Sequence, residues 1–384
     1  MKVLFDHQVF TLQNYGGISR YFCELMDQFS HSADIEFILS LRYSKNENLL
    51  KRDKLDNYWS NQSDFLCESR LIPFIQRKLN IDVLNLARLN QFESVTLLKK
   101  DNYDVFHPTY YNPYFLKYIE KKPYVLTVYD MIHELYPESF SEKDPVRKWK
   151  KKLIENADSI ISISENTKKD ILNLYDISES KISVVYLGNP LENITEFKRN
   201  DLESNYRIFE ENYLLYVGKR SGCKNFQFFI RSIADYLNAT HLHVVCAGGG
   251  LFTPNELSLF KEFNIIDKIH YSEVNDYNLK NLYENARAFI FPSLHEGFGL
   301  PVLEAFSCKC PIILSNSSSL PEIGGNAACY IDPNSSESIL QGVKSVLSDE
   351  SYRLALISKG IEQLKYFSWE KTANDTKKVY ESLL

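Results

Sequence analysis

The sequence predicts an α/β fold with two domains, each built on a parallel, doubly wound sheet. The first observation is length, since 384 residues exceed a usual single domain and leave roughly 180 residues for each of two cores. The second is an alternation of strand-like apolar runs with helical stretches in both halves. The third is a polar stretch after Gly188, rich in Asn, Glu, Arg and Asp through Asn205, where we place the linker.

The predicted elements follow one another regularly. In the first half the strand-like runs are MKVLF, IEFILSL, TLLKK, YDVFHP, YVLTVYD, SIISIS and KISVVYL, and a helical stretch covers residues 18–29. In the second half strands are predicted in NYLLYVG, LHVVCAGGG, KIHYSEV, AFIFPS, PIILS and AACYIDP. Helices are predicted over residues 226–237, 279–286 and 336–347, in PVLEAF, and over a terminal segment, 369–384. Because helices join successive strands, neighbouring strands are expected to run parallel.

Composition narrows the class of protein. An apolar fraction of 44% and a charged fraction of 24% are those of an ordinary globular chain. A formal charge of −6 argues against a general nucleic-acid binder, which presents a basic domain. The seven cysteines show no CxxC spacing, which favours reduced, buried thiols. The opening residues lack a signal-peptide pattern and no apolar run approaches about 18 residues, so we expect a cytoplasmic protein without a membrane span.

The most informative segment is PSLHEGFGLPVLEA, residues 292–305, in which seven residues separate Glu296 from Glu304. Gly297, Gly299 and Pro301 lie between them and forbid one regular helix across the segment. We therefore place Glu296 on a loop and Glu304 on a helix.

A helix that begins near Leu300 or Pro301 would direct its free amides and positive dipole end at that loop. A diphosphate could then lie at the turn, with one carboxylate on sugar hydroxyls and the other on ribose hydroxyls. The alternative is an ordinary strand-to-helix turn with two solvated glutamates.

This segment resembles the Glu-x7-Glu signature of the retaining glycosyltransferases of family 4. Its surroundings match as well, with AFIFP before it and CPII and LPEI after it, and the similarity runs the length of the chain. The resemblance implies the GT-B architecture, in which two Rossmann-like domains face a central cleft. We expect an acceptor domain over 1–190, a nucleotide-sugar domain over 191–366 and a terminal helix, 367–384, that crosses back to the first domain.

The loop of residues 218–225, GKRSGCKN, is the candidate phosphate site of the second half. Lys224 and Asn225 match the family pattern, but Cys223 stands where the family commonly has Arg. Either Arg220 compensates or Lys224 holds the diphosphate alone. A cation is needed because the leaving nucleoside diphosphate gains charge as the glycosidic bond breaks.

In the first half, Gly16 and Gly17 follow the opening strand and resemble the family's first-domain loop. The pattern is not GxGxxG, so it gives no support for NAD, and a plain turn is the alternative. Asp130 lies where the family often has a His-Asp pair, but Tyr129 replaces that His and His133 is a neighbouring alternative.

His107 ends the run DVFH and is expected to face the cleft. Gly248 follows the run VVCA at the carboxyl end of a predicted strand, where it either shapes the nucleotide site or belongs to a simple turn. His295, beside Glu296, is expected to have a positional role. The resemblance implies a catalytic set of Glu296, Lys224, His107 and Asp130, and a donor-binding set of Gly16, Gly17, Gly218, Arg220, Lys224, Asn225, Gly248, Glu296, Gly297, Phe298, Gly299, Leu300 and Glu304.

The implied chemistry is front-face attack with retention of the anomeric configuration. The acceptor hydroxyl enters from the leaving-group side, a donor phosphate oxygen takes its proton, and the protein supplies positioning and electrostatics. Glu296 is then a sugar ligand and charge stabiliser, and Glu304 holds ribose. No Asp-x-Asp candidate occurs in the strand-end loops, so neither a metal nor a cofactor is expected beside the nucleotide-sugar co-substrate.

The opening, DHQVFTLQNYGGISRYF, resembles family members from capsule and O-antigen assembly. It favours mannose or a related sugar from a GDP-linked donor, while UDP-hexose and UDP-N-acetylhexosamine stay open. The expected acceptor is a glycan or a polyprenyl-linked glycan. The basic run KDPVRKWKKK, residues 143–152, and the mixed stretch 75–92 suit peripheral contact with the inner face of the membrane, or are solvated helix faces.

Two other classes of protein are alternatives to a glycosyltransferase. A sugar-nucleotide epimerase or a phosphorylase would need acid–base carboxylates or a pyridoxal phosphate lysine, and neither pattern is identified. A non-catalytic nucleotide-sugar-binding protein is the other alternative, and Cys223 and Tyr129 are departures that such a protein would show.

Overall fold

The computed structural model describes residues 1–52, 55, 83–192, 212–273 and 275–384. Most of the predicted linker and residues 75–82 of the mixed stretch lie outside these ranges. Contacts divide the chain into two units. The first unit comprises Met1–Glu134, Phe140–Gly188 and Trp369–Leu384, and the second comprises Leu135–Ser139 and Asn189–Ser368.

The secondary structure of the described residues alternates as predicted. The strands are β1 (Lys2–Phe5), β2 (Glu36–Leu39), β3 (Val105–His107), β4 (Val125–Val128), β5 (Ser159–Ser162), β6 (Ile182–Val184), β7 (Tyr213–Val217), β8 (His243–Ala247), β9 (Ile269–Ser272), β10 (Ala288–Phe291), β11 (Ile312–Ser315) and β12 (Ala328–Ile331). The α-helices are α1 (Gln8–Leu12), α2 (Gly17–Ser30), α3 (Glu47–Leu50), α4 (Val83–Lys100), α5 (Ile132–Leu135), α6 (Val146–Asn156), α7 (Glu165–Leu174), α8 (Phe226–Ala239), α9 (Pro254–Glu262), α10 (Asp276–Asn285), α11 (Leu300–Ser307), α12 (Leu320–Gly324), α13 (Ser336–Ser348), α14 (Glu350–Leu364) and α15 (Trp369–Glu381).

The first unit holds two three-stranded parallel sheets, ordered β2-β1-β3 and β4-β5-β6. A parallel bridge between Phe106 and Tyr124 joins the segments of β3 and β4. The terminal helix α15 packs on α2, and Thr372 on it donates a hydrogen bond to the carbonyl of Tyr186 at 2.7 Å. The last helix therefore completes the core of the first unit.

The second unit is one six-stranded parallel sheet, ordered β12-β11-β10-β7-β8-β9. This is the strand order of a Rossmann sheet. From the adjacent strands β7 and β10, successive strands along the chain are added in opposite directions across the sheet. The central strands are buried, and α8 and α13 pack together over one face. Ligands of such sheets bind outside the carboxyl ends of the strands at the reversal, which we call the switch point.

The predicted class of two α/β units with parallel sheets is confirmed, but one predicted strand is wrong. The run TLLKK forms the last turns of α4 instead. Asn90 and Ser94, four residues apart, are buried and hydrogen-bonded on one face of this helix, which shows a helical period rather than the alternation of a strand. Lys99 and Lys100 end the helix, where the dipole favours cations. None of the described helices is both long and apolar enough to cross a bilayer.

Candidate active site

An ion pair lies at the switch point of the second unit. Lys224 belongs to the loop between β7 and α8, and Glu296 to the loop between β10 and α11. Since β7 and β10 are adjacent parallel strands, both loops leave the same edge of the sheet. The ammonium of Lys224 donates to a carboxylate oxygen of Glu296 at 2.6 Å and lies 5.5 Å from the ring centroid of Phe291. A cation and a carboxylate therefore meet where this sheet class binds its ligands.

The loop that carries Glu296 is fixed from the segment before α12. The amide of Glu296 donates to the hydroxyl of Ser318 at 2.9 Å. The buried hydroxyl of Ser319 lies 2.9 Å from the carbonyl oxygen of Glu296 and 3.0 Å from that of Phe298, so it bonds to both. The sequence analysis missed these serines, although their cluster just before a helix was a signal of side-chain capping.

Gly299 and Leu300 make the transition into α11, which begins where the sequence predicts. Gly299 has a φ of +109°, and a Cβ there would lie 2.9 Å from the side chain of Leu320, so both conformation and packing favour glycine. Fewer amides face the loop than expected, however. Pro301 has no N–H, and the amide of Val302 donates to the Gly299 carbonyl at 2.9 Å. Neither Pro301 nor Val302 therefore offers an N–H to a ligand at this helix end.

Glu304 is oriented by a residue that the sequence analysis did not identify. The hydroxyl of Tyr283, on α10, donates to Glu304 at 2.9 Å, and the tyrosine is fully buried. Burial and the Glu304 carboxylate hold the pKa of Tyr283 well above its ordinary value. The phenol therefore stays protonated and serves as a fixed donor to one oxygen of Glu304.

Arg220, the predicted substitute for the arginine that Cys223 replaces, directs its guanidinium at a carboxylate and three carbonyls of the second unit. Its Nε donates to Glu256 at 2.7 Å, and its other nitrogens donate to the carbonyls of Gly248, Gly250 and Leu251 at 2.8 to 3.0 Å. Only 7% of Arg220 is exposed. The guanidinium is thus occupied by partners within the second unit.

Glu256 shares in this arrangement. Burial opposes its ionisation, but hydrogen bonds from Arg220 and Thr253 hold the pKa of Glu256 below its ordinary value. Its second oxygen accepts from the amide and the hydroxyl of Thr253, at 2.7 and 2.8 Å, in a capping box at the start of α9. The carboxylate is therefore charged and ties Arg220 to this helix.

The other predicted residues of the loop after β7 have structural partners. Asn225 adopts a left-handed conformation, with a φ of 59°, and its side chain donates to the Pro333 carbonyl at 2.7 Å. Cys223 is buried, and its carbonyl accepts from the amide of Leu294 at 2.7 Å. Gly218, with a φ of +110°, donates its amide to the Ala247 carbonyl at 2.9 Å. These contacts set the position of the loop that presents Lys224.

In the first unit, Gly16 and Gly17 stand at the start of α2 as predicted. A Cβ at Gly16 would lie 2.4 Å from the side-chain oxygen of Gln13, so a larger residue there would displace that side chain. That same oxygen accepts from the amide of Ser19 at 3.3 Å. The start of α2 is therefore partly capped from within the chain.

Asp130 follows β4 and is held by a buried lysine. Its carboxylate accepts from the amide of Ile132 at 3.0 Å. The ammonium of Lys150 donates to the Asp130 carbonyl and to the carboxylate of Glu134, each at 2.9 Å. Lys150 is fully buried, so this member of the basic run is neither solvated nor available to a membrane. Helical periodicity explains the difference, because Leu153 and Ile154 bury the same face of α6.

His107 belongs to the core of the first unit, which contradicts its predicted place in the site. Its Nδ1 lies 2.6 Å from the hydroxyl of Tyr380 and its Nε2 lies 2.9 Å from that of Thr127. The rings of Phe5 and Phe22 pack against it, and no part of it is exposed. Burial lowers the pKa of His107 to about 3. The residue ends β3 as expected, but α15 covers it.

The neighbours of Asp130 are also packed. Tyr129 is buried, its amide donates to the hydroxyl of Tyr111 at 3.1 Å, and its ring packs against those of Tyr21 and Tyr111. His133 stacks on Phe140 with ring centroids 3.8 Å apart. In the second unit, the ring of His295 packs against that of Tyr136, with centroids 5.8 Å apart.

Comparison with known proteins covers both halves of the chain. Residues 198–363 match the family described as Glycosyl transferases group 1, and residues 15–193 match Glycosyltransferase Family 4. The O-antigen chain mannosyltransferase B of Escherichia coli is 28% identical over 379 residues, which cover 96% of each chain.

Two further relatives bear on substrate and fold. The N-acetylgalactosamine-N,N'-diacetylbacillosaminyl-diphospho-undecaprenol 4-alpha-N-acetylgalactosaminyltransferase of Campylobacter jejuni is 28% identical over 229 residues, 59% of this chain and 60% of that protein. The crystal structure of Anabaena HepE in complex with UDP and glucose matches with a TM-score of 0.72 at 14% identity and covers 100% of both chains. At that identity the structural match shows the fold alone.

Proposed function

Because the chain belongs to the glycosyltransferases of group 1 and family 4, we propose that it moves a hexose from a nucleoside diphosphate sugar to a glycan hydroxyl with retention of configuration. The observation that carries this proposal is the 2.6 Å ion pair of Lys224 and Glu296 at the switch point. It supplies, in one place, a cation for a diphosphate and a carboxylate for sugar hydroxyls.

Lys224 is assigned to the leaving group. Its side chain is 27% exposed, so a ligand can reach it, while the carboxylate of Glu296 is 10% exposed. A bound donor would bring phosphate oxygens to Lys224 and hydroxyl donors to Glu296, so each member of the pair gains a partner of suitable charge. A cation placed in advance lowers the barrier, because negative charge grows on the diphosphate in the transition state.

Glu304 is assigned to ribose. It lies on α11, beyond the turn at Gly299, while Glu296 precedes that turn. The two carboxylates therefore grip different parts of the donor, the sugar and the ribose. Tyr283 donates to one oxygen of Glu304 and so fixes the orientation of this carboxylate.

The step balances without an external base. The bond between the anomeric carbon and the phosphate oxygen breaks, and its electron pair stays on the diphosphate. The acceptor oxygen bonds to the anomeric carbon on the same face, and its proton passes to a phosphate oxygen. The protein contributes orientation and electrostatic stabilisation.

The proposed donor is mannose or a related sugar linked to GDP. Support comes from the nearly full-length similarity to an O-antigen chain mannosyltransferase. A UDP-hexose or UDP-N-acetylhexosamine donor is the alternative, since an N-acetylgalactosaminyltransferase is equally identical over a shorter length.

The proposed acceptor is a polyprenyl-linked glycan of surface polysaccharide synthesis, O-antigen or capsule, held at the inner face of the membrane. The name of the Campylobacter relative, with its diphospho-undecaprenol acceptor, supports a lipid-linked substrate. Helix α6 supports peripheral contact, because one side of it exposes four cations that we call the basic face. They are Arg147, Lys148, Lys151 and Lys152.

A non-catalytic nucleotide-sugar-binding protein is the second candidate. The observation that favours it is the occupied Arg220 together with Cys223, which gives this loop less cationic character than the family pattern. The two candidates differ in turnover rather than in affinity.

The test begins with a thermal-shift screen of GDP, UDP, ADP and their hexose conjugates, followed by hydrolysis of the stabilising conjugate without acceptor. For Glu296→Ala we expect a loss of about 100-fold in turnover, with a much smaller loss of nucleotide affinity. Glu350→Ala, at the exposed start of α14, is the matched control. Turnover of Glu296→Ala within about threefold of wild type, a difference of under 1 kcal/mol in the barrier, would contradict the assigned role. Absence of turnover in the wild type, despite nucleotide binding, would favour the second candidate.

A further inference from the structure

Arg220 gathers the carbonyl oxygens of one short loop. The loop follows β8, and we call residues 248–251 the glycine loop. Guanidinium nitrogens of Arg220 donate to the carbonyls of Gly248 at 3.0 Å, Gly250 at 2.8 Å and Leu251 at 3.0 Å. Three of the four carbonyls of the loop are therefore directed at one buried side chain.

The guanidinium itself is held from three further sides. Nε donates to Glu256 at 2.7 Å, and the rings of Phe226 and Phe252 lie 5.9 and 4.8 Å from its central carbon. The side chain is 3% exposed and its carboxylate partner 6%. Such a buried, charge-paired fork has little freedom to leave the loop.

This arrangement fixes where the amides of the loop point. In a trans peptide the C=O of one residue and the N–H of the next point in opposite directions. When the carbonyls of Gly248, Gly250 and Leu251 point at Arg220, the N–H groups of Gly249, Leu251 and Phe252 must point away from it. Gly249 is exposed and Leu251 is 78% exposed, so this part of the loop lies at the surface, where a ligand can reach it.

The backbone of the loop suits this role. Gly248, Gly249 and Gly250 have φ of +78°, +74° and +80°, which glycine adopts readily. Successive amides in such a turn form a concave donor site for oxygen ligands. A Cβ at Gly249 would lie 2.6 Å from the carbonyl oxygen of Gly218, so the glycine loop packs directly on the loop that carries Lys224.

We propose that Arg220 is a positioning residue of the donor site, which holds the glycine loop so that the amides of Gly249, Leu251 and Phe252 bind oxygen atoms of the nucleoside diphosphate. The inference rests on the proposed function. It assigns to Arg220 a role through the backbone of a neighbouring loop rather than through contact with phosphate. The glycine loop ends the strand beside β7, so its amides and Lys224 lie at the same edge of the sheet.

Amide hydrogen exchange tests the inference directly. Purified full-length protein is measured alone, with GDP, with UDP, with inorganic pyrophosphate, and with guanosine or uridine. We expect a bound nucleotide to slow exchange at Gly249, Leu251 and Phe252. Slowing by pyrophosphate alone would identify phosphate oxygens as the ligand, and slowing by a nucleoside alone would identify oxygens of the base or ribose. Unchanged exchange at these amides while a nucleotide binds would overturn the inference.

Substitutions of Arg220 provide a second test of the inference. Arg220→Met should raise the dissociation constant of the nucleotide by about tenfold or more, the scale of one lost charge-assisted hydrogen bond, and should abolish the slowing at the glycine loop. Arg220→Lys keeps the charge and part of the bonding, so it should restore a fraction of the affinity. Arg231→Met is the matched control, since Arg231 also pairs with a glutamate, Glu262, and lies over a ring, Phe263, but donates no bond to the glycine loop.

Gly249→Ala alters the same loop while residue 220 stays arginine, although the added Cβ would also lie 3.0 Å from a guanidinium nitrogen of Arg220. It replaces Arg220→Met if that variant fails to fold. It should weaken nucleotide binding to a similar extent, because the added methyl group collides with the loop of Lys224. Folded variants at residues 220 and 249 that bind nucleotide as wild type does would overturn the inference and leave the proposed function intact. A wild-type protein that binds no nucleotide would instead contradict the proposed function.

Discussion

The hydroxyl of Tyr283 donates a hydrogen bond of 2.9 Å to Glu304 from a position that solvent does not reach. Tyr283 also lies 3.4 Å from the Pro301 carbonyl in the first turn of the same helix. One buried phenol thus orients the carboxylate that we assign to ribose and contacts the start of α11, so residues that touch no substrate contribute to the donor site.

Tyr283→Phe should therefore weaken donor binding. The loss of a hydrogen bond to a charged group, partly compensated by water at half-buried Glu304, is expected to raise the KM for the donor about threefold to tenfold. The kcat should change less, because Glu304 lies away from the reacting bond in this assignment. Steady-state kinetics with varied donor measures both constants.

Tyr213→Phe is the matched control for that experiment. Tyr213 is buried in β7, and its hydroxyl donates to the Leu282 carbonyl at 2.7 Å rather than to a site carboxylate. If both variants change the donor KM equally, the effect comes from packing, and the role of Tyr283 is not supported.

Removal of the cation at the switch point should slow the chemical step. Lys224→Met is expected to lower kcat by about 100-fold to 1,000-fold, since a preorganised electrostatic contact to developing charge is lost. Lys224→Arg should retain part of the rate. Lys365→Met, at an exposed lysine paired with Glu362 on α14, should leave kcat unchanged. A kcat near the wild-type value for Lys224→Met would show that another group stabilises the leaving diphosphate.

The burial of Lys150 in α6 predicts that two substitutions in the same basic run have unequal effects on stability. Lys150→Met leaves Glu134 buried without its cation, which should reduce the free energy of unfolding by about 3–5 kcal/mol. Lys148→Met, two residues away and exposed, should change it by less than about 0.5 kcal/mol. Urea denaturation followed by tryptophan fluorescence measures the free energy of unfolding, because Trp149 and Trp369 lie in the first unit. Equal effects of the two substitutions would contradict the burial of Lys150.

Acid should destabilise the first unit through His107. Its pKa is about 3 in the folded protein, against the ordinary value of 6.5 for a histidine in contact with water. Below pH 6.5 the unfolded state therefore binds a proton that the folded state does not, and stability falls by about 1.4 kcal/mol per pH unit from this group. The loss continues until the pH nears 3.

Denaturation curves at pH 7, 6 and 5 measure that slope. His107→Gln removes the titrating group. The free energy of unfolding should then fall less steeply as the pH decreases, by the slope that corresponds to about one proton. His241→Gln, at an exposed histidine of the second unit, serves as the control. An unchanged slope for His107→Gln would mean that His107 does not stay neutral in the folded protein.

The basic face of α6 predicts binding to anionic vesicles. Reversal of two of its charges, Lys148→Glu with Lys152→Glu, should weaken binding to phosphatidylglycerol-containing vesicles by at least about tenfold, given about 1 kcal/mol for each cation near such a surface. Lys169→Glu with Lys378→Glu makes the same change in net charge at exposed positions of α7 and α15. Equal losses would show that net charge, not the basic face, governs binding. Flotation assays at two salt concentrations distinguish these outcomes, since the attraction is screened by salt.

The sequence by itself determined the fold class and the local backbone between Glu296 and Glu304. Strand and helix periodicities are local properties, and they predicted two α/β units with parallel sheets. The glycines and proline between Glu296 and Glu304 also act locally, because they restrict φ and break the helix. The predicted loop position of Glu296 and the start of α11 near Leu300 are therefore confirmed.

Only the tertiary structure decided which charged side chains are available. Arg220 and Lys224 share one loop, and Lys148 and Lys150 share one helix, yet in each pair one side chain is buried and the other is accessible. The hydrogen-bonding partners responsible lie far away in sequence. Glu256 is 36 residues from Arg220, and Tyr380 is 273 residues from His107. Local sequence does not encode such distances, because burial and hydrogen bonding follow from how the strands are ordered in the sheet and from where the last helix packs.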